Sequence, residues 1–131
     1  MTVLKGYVIS GMNKASKFME QKIYMDQFKE KIGFTPIPGT LNIKLTNGEY
    51  ILNKTAINKL QEIKGDENHG NVYFLSALLK KEGSNKKKLG TILFPMKTQH
   101  KKDTIEFVAD VYLRKTMNLH DNSKVILEIY D

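Results

Sequence analysis

Short stretches in which apolar and polar residues alternate are the feature that most constrains this fold. The clearest is residues 41–45, LNIKL, in which three branched apolar residues alternate with Asn42 and Lys44. Successive side chains of a strand point to opposite faces, so this pattern predicts a strand with one buried face. Asn47-Gly48 follows directly and is the strongest hairpin-turn signal in the chain.

Five further segments have strand character, because they are rich in β-branched and aromatic residues and are bounded by turn residues. They are residues 3–9, 72–79, 89–94, 104–109 and 124–130, with a basic turn at 83–88. Six short strands at this spacing predict a compact, mainly β barrel rather than a doubly wound sheet. The 131 residues suit one domain, residues 1–131, around one core.

Helical spacing is clear in one place. Tyr24, Phe28 and Ile32 recur every four residues with charged residues between them, and Gly33 follows. This predicts an amphipathic helix over 24–32 that ends in a left-handed glycine.

Two other segments are less distinct. Residues 110–117 predict a short helical turn with Asp110 as its cap. Residues 53–65 stay open, because their apolar spacing also fits a helix that begins at Asn53 and stops at Gly65.

Composition sets the broad class of the protein. The formal net charge is +7, there is no cysteine, and no apolar run approaches the length of a membrane span. The amino-terminal residues do not resemble a signal peptide, so we expect a cytoplasmic protein with no membrane partner. A basic chain attracts phosphate-bearing ligands, although a solvated lysine-rich surface explains the same charge.

The familiar motifs of phosphate-using enzymes do not occur. The chain has neither a Gly-x-x-x-x-Gly-Lys-Ser/Thr loop nor a Gly-x-Gly-x-x-Gly after its first strand, and it lacks the protein-kinase motif set. Its three histidines, His69, His100 and His120, are too far apart for ligand-like spacing. The residues alone therefore predict a small basic β-barrel that binds something phosphorylated.

Three blocks of sequence carry a family resemblance. They are GYVISGM at 6–12 with Phe18 after it, GFTPIPGTLN at 33–42, and FPMKTQH at 94–100 followed by Ile105-Glu106, Leu113-Arg114 and Asn118-Leu119. In order and spacing the chain resembles the archaeal CTP-dependent riboflavin kinases. The resemblance implies a six-stranded Greek-key cradle-loop barrel of the RIFT type. It also implies phosphoryl transfer from CTP to riboflavin, giving FMN and CDP.

The same resemblance assigns a Mg²⁺ site to Thr40 and Asn42. Because Thr40 and Asn42 are two positions apart on the predicted strand, their side chains lie on the same face. Mg²⁺ prefers oxygen ligands and keeps several of its waters, so two protein ligands beside nucleotide phosphates are chemically reasonable. Without the resemblance, the two residues would simply satisfy a strand end.

Two segments match the family's nucleotide-binding positions. One is the loop of Met12, Asn13, Lys14, Ala15, Ser16 and Lys17, and the other is Val111, Tyr112, Leu113 and Arg114. Backbone amides of the loop would cradle phosphates, and backbone groups of the second segment would contact the cytosine edge. The loop departs from the family, which usually has glycine at positions 13 and 15. Leu113 fits a core position in either interpretation, and Arg114 could be merely solvated.

Thr98 and Glu106 match the riboflavin-binding positions of the family. A hydroxyl and a carboxylate are sensible partners for the polar groups of a flavin and its polyol tail. Glu106 is also a candidate for the base that takes the 5′-hydroxyl proton. The plain alternative for Glu106 is an outward polar residue on a strand.

Two other functions compete with a kinase. A basic barrel could bind single-stranded nucleic acid, but the lysine runs at 86–88 and 101–102 have few aromatic neighbours for stacking. A flavin- or nucleotide-binding homologue without turnover would explain the loss of the loop glycines. We expect a monomer that binds riboflavin or FMN and CTP or CDP, and no nucleic acid.

Overall fold

A computed structural model describes residues 2–10, 22–37, 40–46, 58–65, 71–94 and 103–130. Within these ranges the chain forms seven strands and two helices. The strands are β1 (Thr2–Ile9), β2 (Leu41–Leu45), β3 (Gln61–Ile63), β4 (Val72–Lys81), β5 (Lys87–Phe94), β6 (Thr104–Val108) and β7 (Lys124–Ile129). The helices are α1 (Lys22–Ile32) and α2 (Leu113–Thr116).

Six of the strands close into an antiparallel barrel in the order β1, β2, β6, β5, β4, β7. The ring closes where β4 pairs with β7, from Leu78 opposite Glu128 to Lys81 opposite Val125. Closure leaves no free strand edge in the ring. The predicted mainly β, six-stranded barrel with short helices is therefore confirmed.

The third strand was not predicted. β3 pairs with the first part of β4, and its Ile63 is fully buried. The helical interpretation of 53–65 is thus wrong at 61–63, because pairing with β4 and burial of Ile63 outweigh the local apolar spacing. Residues 53–57 and the Asn47-Gly48 turn lie outside the described residues. The basic turn is shorter than predicted, because β5 already begins at Lys87.

Two apolar clusters lie on opposite faces of the sheet. Alternate strand residues such as Val8, Ile43 and Leu127 fill the barrel interior. On the outside, α1 covers the sheet with Tyr24 and Phe28. These pack against apolar residues of β3, β4, β5 and β6, namely Ile63, Val72, Phe74, Leu93 and Val108. The predicted helix is confirmed, and Gly33 after it has the expected positive φ of 81°.

The segment after β6 differs in detail from the prediction. α2 is one turn long, and Tyr112 precedes it without a side-chain cap. Asp110 is not a cap, because its carboxylate pairs with Lys88 of β5 at 2.8 Å. That lysine holds the pKa of Asp110 below its usual value. Neither described helix has the length and apolar character needed to cross a bilayer.

Gly6 provides a test of the barrel packing. It lies in β1 between β2 and β7, opposite Leu45 and Val125. A Cβ at this position would overlap the Lys44 carbonyl oxygen, which is backbone and cannot easily move away. We expect Gly6→Ala to lower the free energy of unfolding by about 1–3 kcal/mol in a denaturant titration.

The matched control is Ser76→Ala, at an exposed position of β4. It should change the free energy of unfolding by no more than about 0.5 kcal/mol. Equal stability of the Gly6→Ala protein and the wild type would contradict the packing described for β1.

Candidate functional site

The pairing of β2 with β6 sets the centre of the site. Asn42 stands directly opposite Glu106, and the residues beside them on each strand point into the barrel. Because side chains alternate along a strand, Asn42 and Glu106 share the outer face. Thr40, just before β2, donates a hydrogen bond from its hydroxyl to Glu106 Oε1 at 2.7 Å. The structure therefore brings together three of the predicted site residues.

Burial makes this cluster unusual. Asn42 is 4% exposed and Glu106 is 6% exposed, although both lie on the outer face. The Asn42 side-chain oxygen is buried and has no hydrogen-bond partner among the residues that the structure describes. A buried polar atom left unsatisfied costs free energy, so such atoms often mark a ligand position. The three side chains present hydroxyl, amide and carboxylate oxygens, which are the ligand types of hard cations.

A pocket of about 210 Å³ adjoins Thr40. The segment 111–114 forms one wall, and Ile37, Leu41 and Ala109 contribute apolar surface. Tyr112 is 64% exposed, whereas Leu113 is buried and belongs to the core cluster. The pocket thus joins one predicted metal ligand to the predicted nucleotide segment.

Arg114 lines this pocket and is also paired. Its Nη2 donates to Asp121 Oδ1 at 2.8 Å, to the Ile9 carbonyl oxygen at 3.2 Å and to Ser10 Oγ at 3.3 Å. The Ser10 hydroxyl donates to Asp121 Oδ1 at 2.7 Å and lies 2.9 Å from Oδ2. The hydrogen bond from Ser10 and the ion pair with Arg114 lower the pKa of Asp121.

The remaining predicted site residues lie outside the described part of the chain. They are the loop residues Met12, Asn13, Lys14, Ala15, Ser16 and Lys17 and the flavin candidate Thr98. Sequence reasoning did not identify Ser10 or Asp121 as site neighbours. No local signal could have found their contact, because 111 positions separate them along the chain.

The matching family model covers nearly the whole chain. Residues 8–129 match the family described as Domain of unknown function DUF120, whose model has the short name CTP-dep_RFKase. The chain belongs to this family. The match includes all of the residues that form the cluster and the pocket.

Curated relatives extend the comparison over full-length proteins. The chain is 43% identical over 129 residues to a protein named riboflavin kinase from Methanosphaera stadtmanae, covering 98% of both chains. It is 40% identical over 124 residues to the riboflavin kinase of Methanothermobacter thermautotrophicus, covering 92% of this chain and 93% of that protein. The riboflavin kinase of Methanobrevibacter smithii is 38% identical over 127 residues, with 95% and 98% covered.

The contribution of the hydrogen bond between Thr40 and Glu106 can be tested in the absence of any ligand. Thr40→Val keeps the shape of the side chain but removes the donor to a buried carboxylate. We expect the free energy of unfolding to fall by about 1–2 kcal/mol, measured in a denaturant titration.

Thr104→Val is the matched control, because Thr104 lies on β6 and, within the described ranges, its hydroxyl makes only a 3.5 Å contact with Asp103. It should cost less than about 0.5 kcal/mol. If both variants lost the same stability, the Thr40–Glu106 hydrogen bond would not contribute as described.

Proposed function

We propose that this protein is a riboflavin kinase that transfers the γ-phosphoryl group of CTP to the riboflavin 5′-hydroxyl. The observation that carries the proposal is the buried Asn42 oxygen, which has no partner within the described part of the chain and lies beside the Thr40–Glu106 hydrogen bond and the adjoining pocket. Relatives named riboflavin kinase support the acceptor, and the family name supports CTP as donor.

Thr40 and Asn42 would hold a divalent cation, Mg²⁺ in the proposal. The fit rests on the donor set, because the Asn42 oxygen needs a partner and the Thr40 oxygen has lone pairs left while its proton goes to Glu106. When bound with the nucleotide, Mg²⁺ would neutralise charge on the transferring phosphoryl group. Glu106 would in turn orient Thr40, as groups behind metal ligands commonly do.

The nucleotide would occupy the pocket between Thr40 and the segment 111–114. The apolar surface of Ile37, Leu41 and Ala109 suits the faces of a base, and the exposed ring of Tyr112 adds aromatic surface at the edge of the pocket. Backbone groups of Val111 and Tyr112 would contact the cytosine edge, and the loop 12–17 would approach the phosphates. Arg114 would add positive charge from a fixed position.

Glu106 would act on both sides of the site, because it orients Thr40 beside the nucleotide and also binds riboflavin. Thr98 would be its partner in binding riboflavin, with the riboflavin 5′-hydroxyl in line with the γ-phosphorus. In the reaction a bond forms between the 5′ oxygen and the γ-phosphorus while the bond to the β,γ-bridging oxygen breaks. The products are FMN and CDP, and the hydroxyl proton leaves to Glu106 or to water. Positioning and charge neutralisation carry most of such a transfer.

The direct test is to incubate the protein with riboflavin and Mg²⁺, supply CTP, ATP, GTP or UTP in turn, and measure FMN by chromatography. We expect FMN with CTP in preference to the others, and loss of most FMN formation in Asn42→Ala. Riboflavin binding without FMN from any nucleotide would instead indicate a non-catalytic homologue.

The role of Glu106 is resolved by the kinetics of Glu106→Gln, which keeps the acceptor for Thr40. If Glu106 is the general base, kcat should fall by about 100-fold or more while KM for riboflavin is retained. A raised KM for riboflavin with an unchanged kcat would assign Glu106 to binding alone.

A further inference from the structure

The end of β1 is held by the turn between α2 and β7. Val8 exchanges two backbone hydrogen bonds with this turn, donating to the Ser123 carbonyl at 2.9 Å and accepting from the Asn122 amide at 2.7 Å. Asn118 and Asn122 have positive φ values of 52° and 73°, which asparagine tolerates better than most residues. The turn therefore keeps a defined backbone next to the last residues of β1.

Asp121 extends this backbone connection with its side chain. Its two carboxylate oxygens lie 2.7 and 2.9 Å from Ser10 Oγ, and one of them accepts from Arg114 at 2.8 Å. Ser10 leads into the loop 12–17, and Arg114 is in the wall of the pocket. Asp121 is not part of that wall, yet its carboxylate contacts both Arg114 in the wall and Ser10, whose hydroxyl also lies 3.3 Å from Arg114 Nη2.

We propose that Asp121 is a positioning residue for nucleotide binding, acting through Ser10 and Arg114 rather than by touching the nucleotide. This inference rests on the proposed function, because it assumes that the pocket receives a nucleotide. The carboxylate holds the Arg114 guanidinium beside the Ile9 carbonyl oxygen and the Ser10 hydroxyl at the end of β1.

The exposure of the Arg114 and Asp121 side chains indicates that their ion pair contributes little to folding stability. The side chains of Arg114 and Asp121 are 44% and 54% exposed. Exposed ion pairs add little to folding stability, because water competes for both charges and salt screens them. Their geometry still restricts where Arg114 and Ser10 lie, so removal of the carboxylate should affect nucleotide binding more than stability.

The test measures the dissociation constants for CTP with Mg²⁺ and for riboflavin, by calorimetry and by flavin fluorescence. Asp121→Ala should weaken CTP binding about fivefold, within the range for groups sharing a hydrogen-bond network. Riboflavin affinity should change by less than about twofold, as for uncoupled sites. Asp121→Asn keeps an acceptor oxygen for Ser10 and should restore part of the CTP affinity.

A double-mutant cycle with Ser10→Ala tests the connection itself. If Asp121 acts through Ser10, the factor by which the double variant loses CTP affinity should be smaller than the product of the factors measured for the two single variants. Glu82→Gln removes the same unit of charge from the exposed turn between β4 and β5 and should leave both affinities unchanged.

Three outcomes would overturn the inference. The first is a CTP affinity of Asp121→Ala equal to that of the wild type. The second is a higher CTP affinity, because Arg114 is released. The third is an equal loss of affinity for CTP and for riboflavin, because the protein unfolds more easily. Failure of the proposed function is a separate result, because the wild type itself would then bind no CTP or form no FMN.

Discussion

The pairing of β2 with β6 is the constraint on which the rest of the site depends. It sets Asn42 opposite Glu106 and brings Thr40 within 2.7 Å of the Glu106 carboxylate. A shift of β2 by one residue against β6 would turn Asn42 into the barrel interior and leave Glu106 on the outer face. The same shift would expose the apolar residues of β2, so the core that closes the barrel also enforces the position of the site.

The outer face of the barrel can carry such a site because the interior is complete without it. Alternate residues of the six ring strands fill the core, and α1 covers a second apolar cluster on the outside. The cluster around Asn42 is nevertheless buried, with an oxygen left for a ligand. A rigid strand pair therefore presents the proposed metal and acceptor groups, and the segment 111–114 supplies one wall of the proposed nucleotide pocket.

Local patterns predicted the parts of the fold that local physics determines. Strict alternation gave β2, four-residue spacing gave α1, and Gly33 marked the helix end because few other residues adopt its backbone conformation. β3 was missed because it is stabilised by pairing with β4 and has no clear local pattern of its own. The cap assigned to Asp110 was wrong, because its carboxylate pairs with Lys88 of β5, which is distant in the sequence. The family resemblance selected Thr40, Asn42 and Glu106 as site residues. Only the fold reveals their hydrogen bond, or the contact between Ser10 and Asp121 across 111 positions.

The proposed site stands on one claim, that the buried Asn42 oxygen is a ligand of the cation that accompanies the nucleotide. Mn²⁺ can replace Mg²⁺ as a paramagnetic probe, and its binding with CTP can be followed by electron paramagnetic resonance. We predict that Asn42→Ala weakens Mn²⁺ binding in the presence of CTP by about tenfold or more, whereas Asn42→Asp retains it. Asn85→Ala, on the exposed β4–β5 turn, is the control. Equal Mn²⁺ affinity in Asn42→Ala and the wild type would contradict the claim.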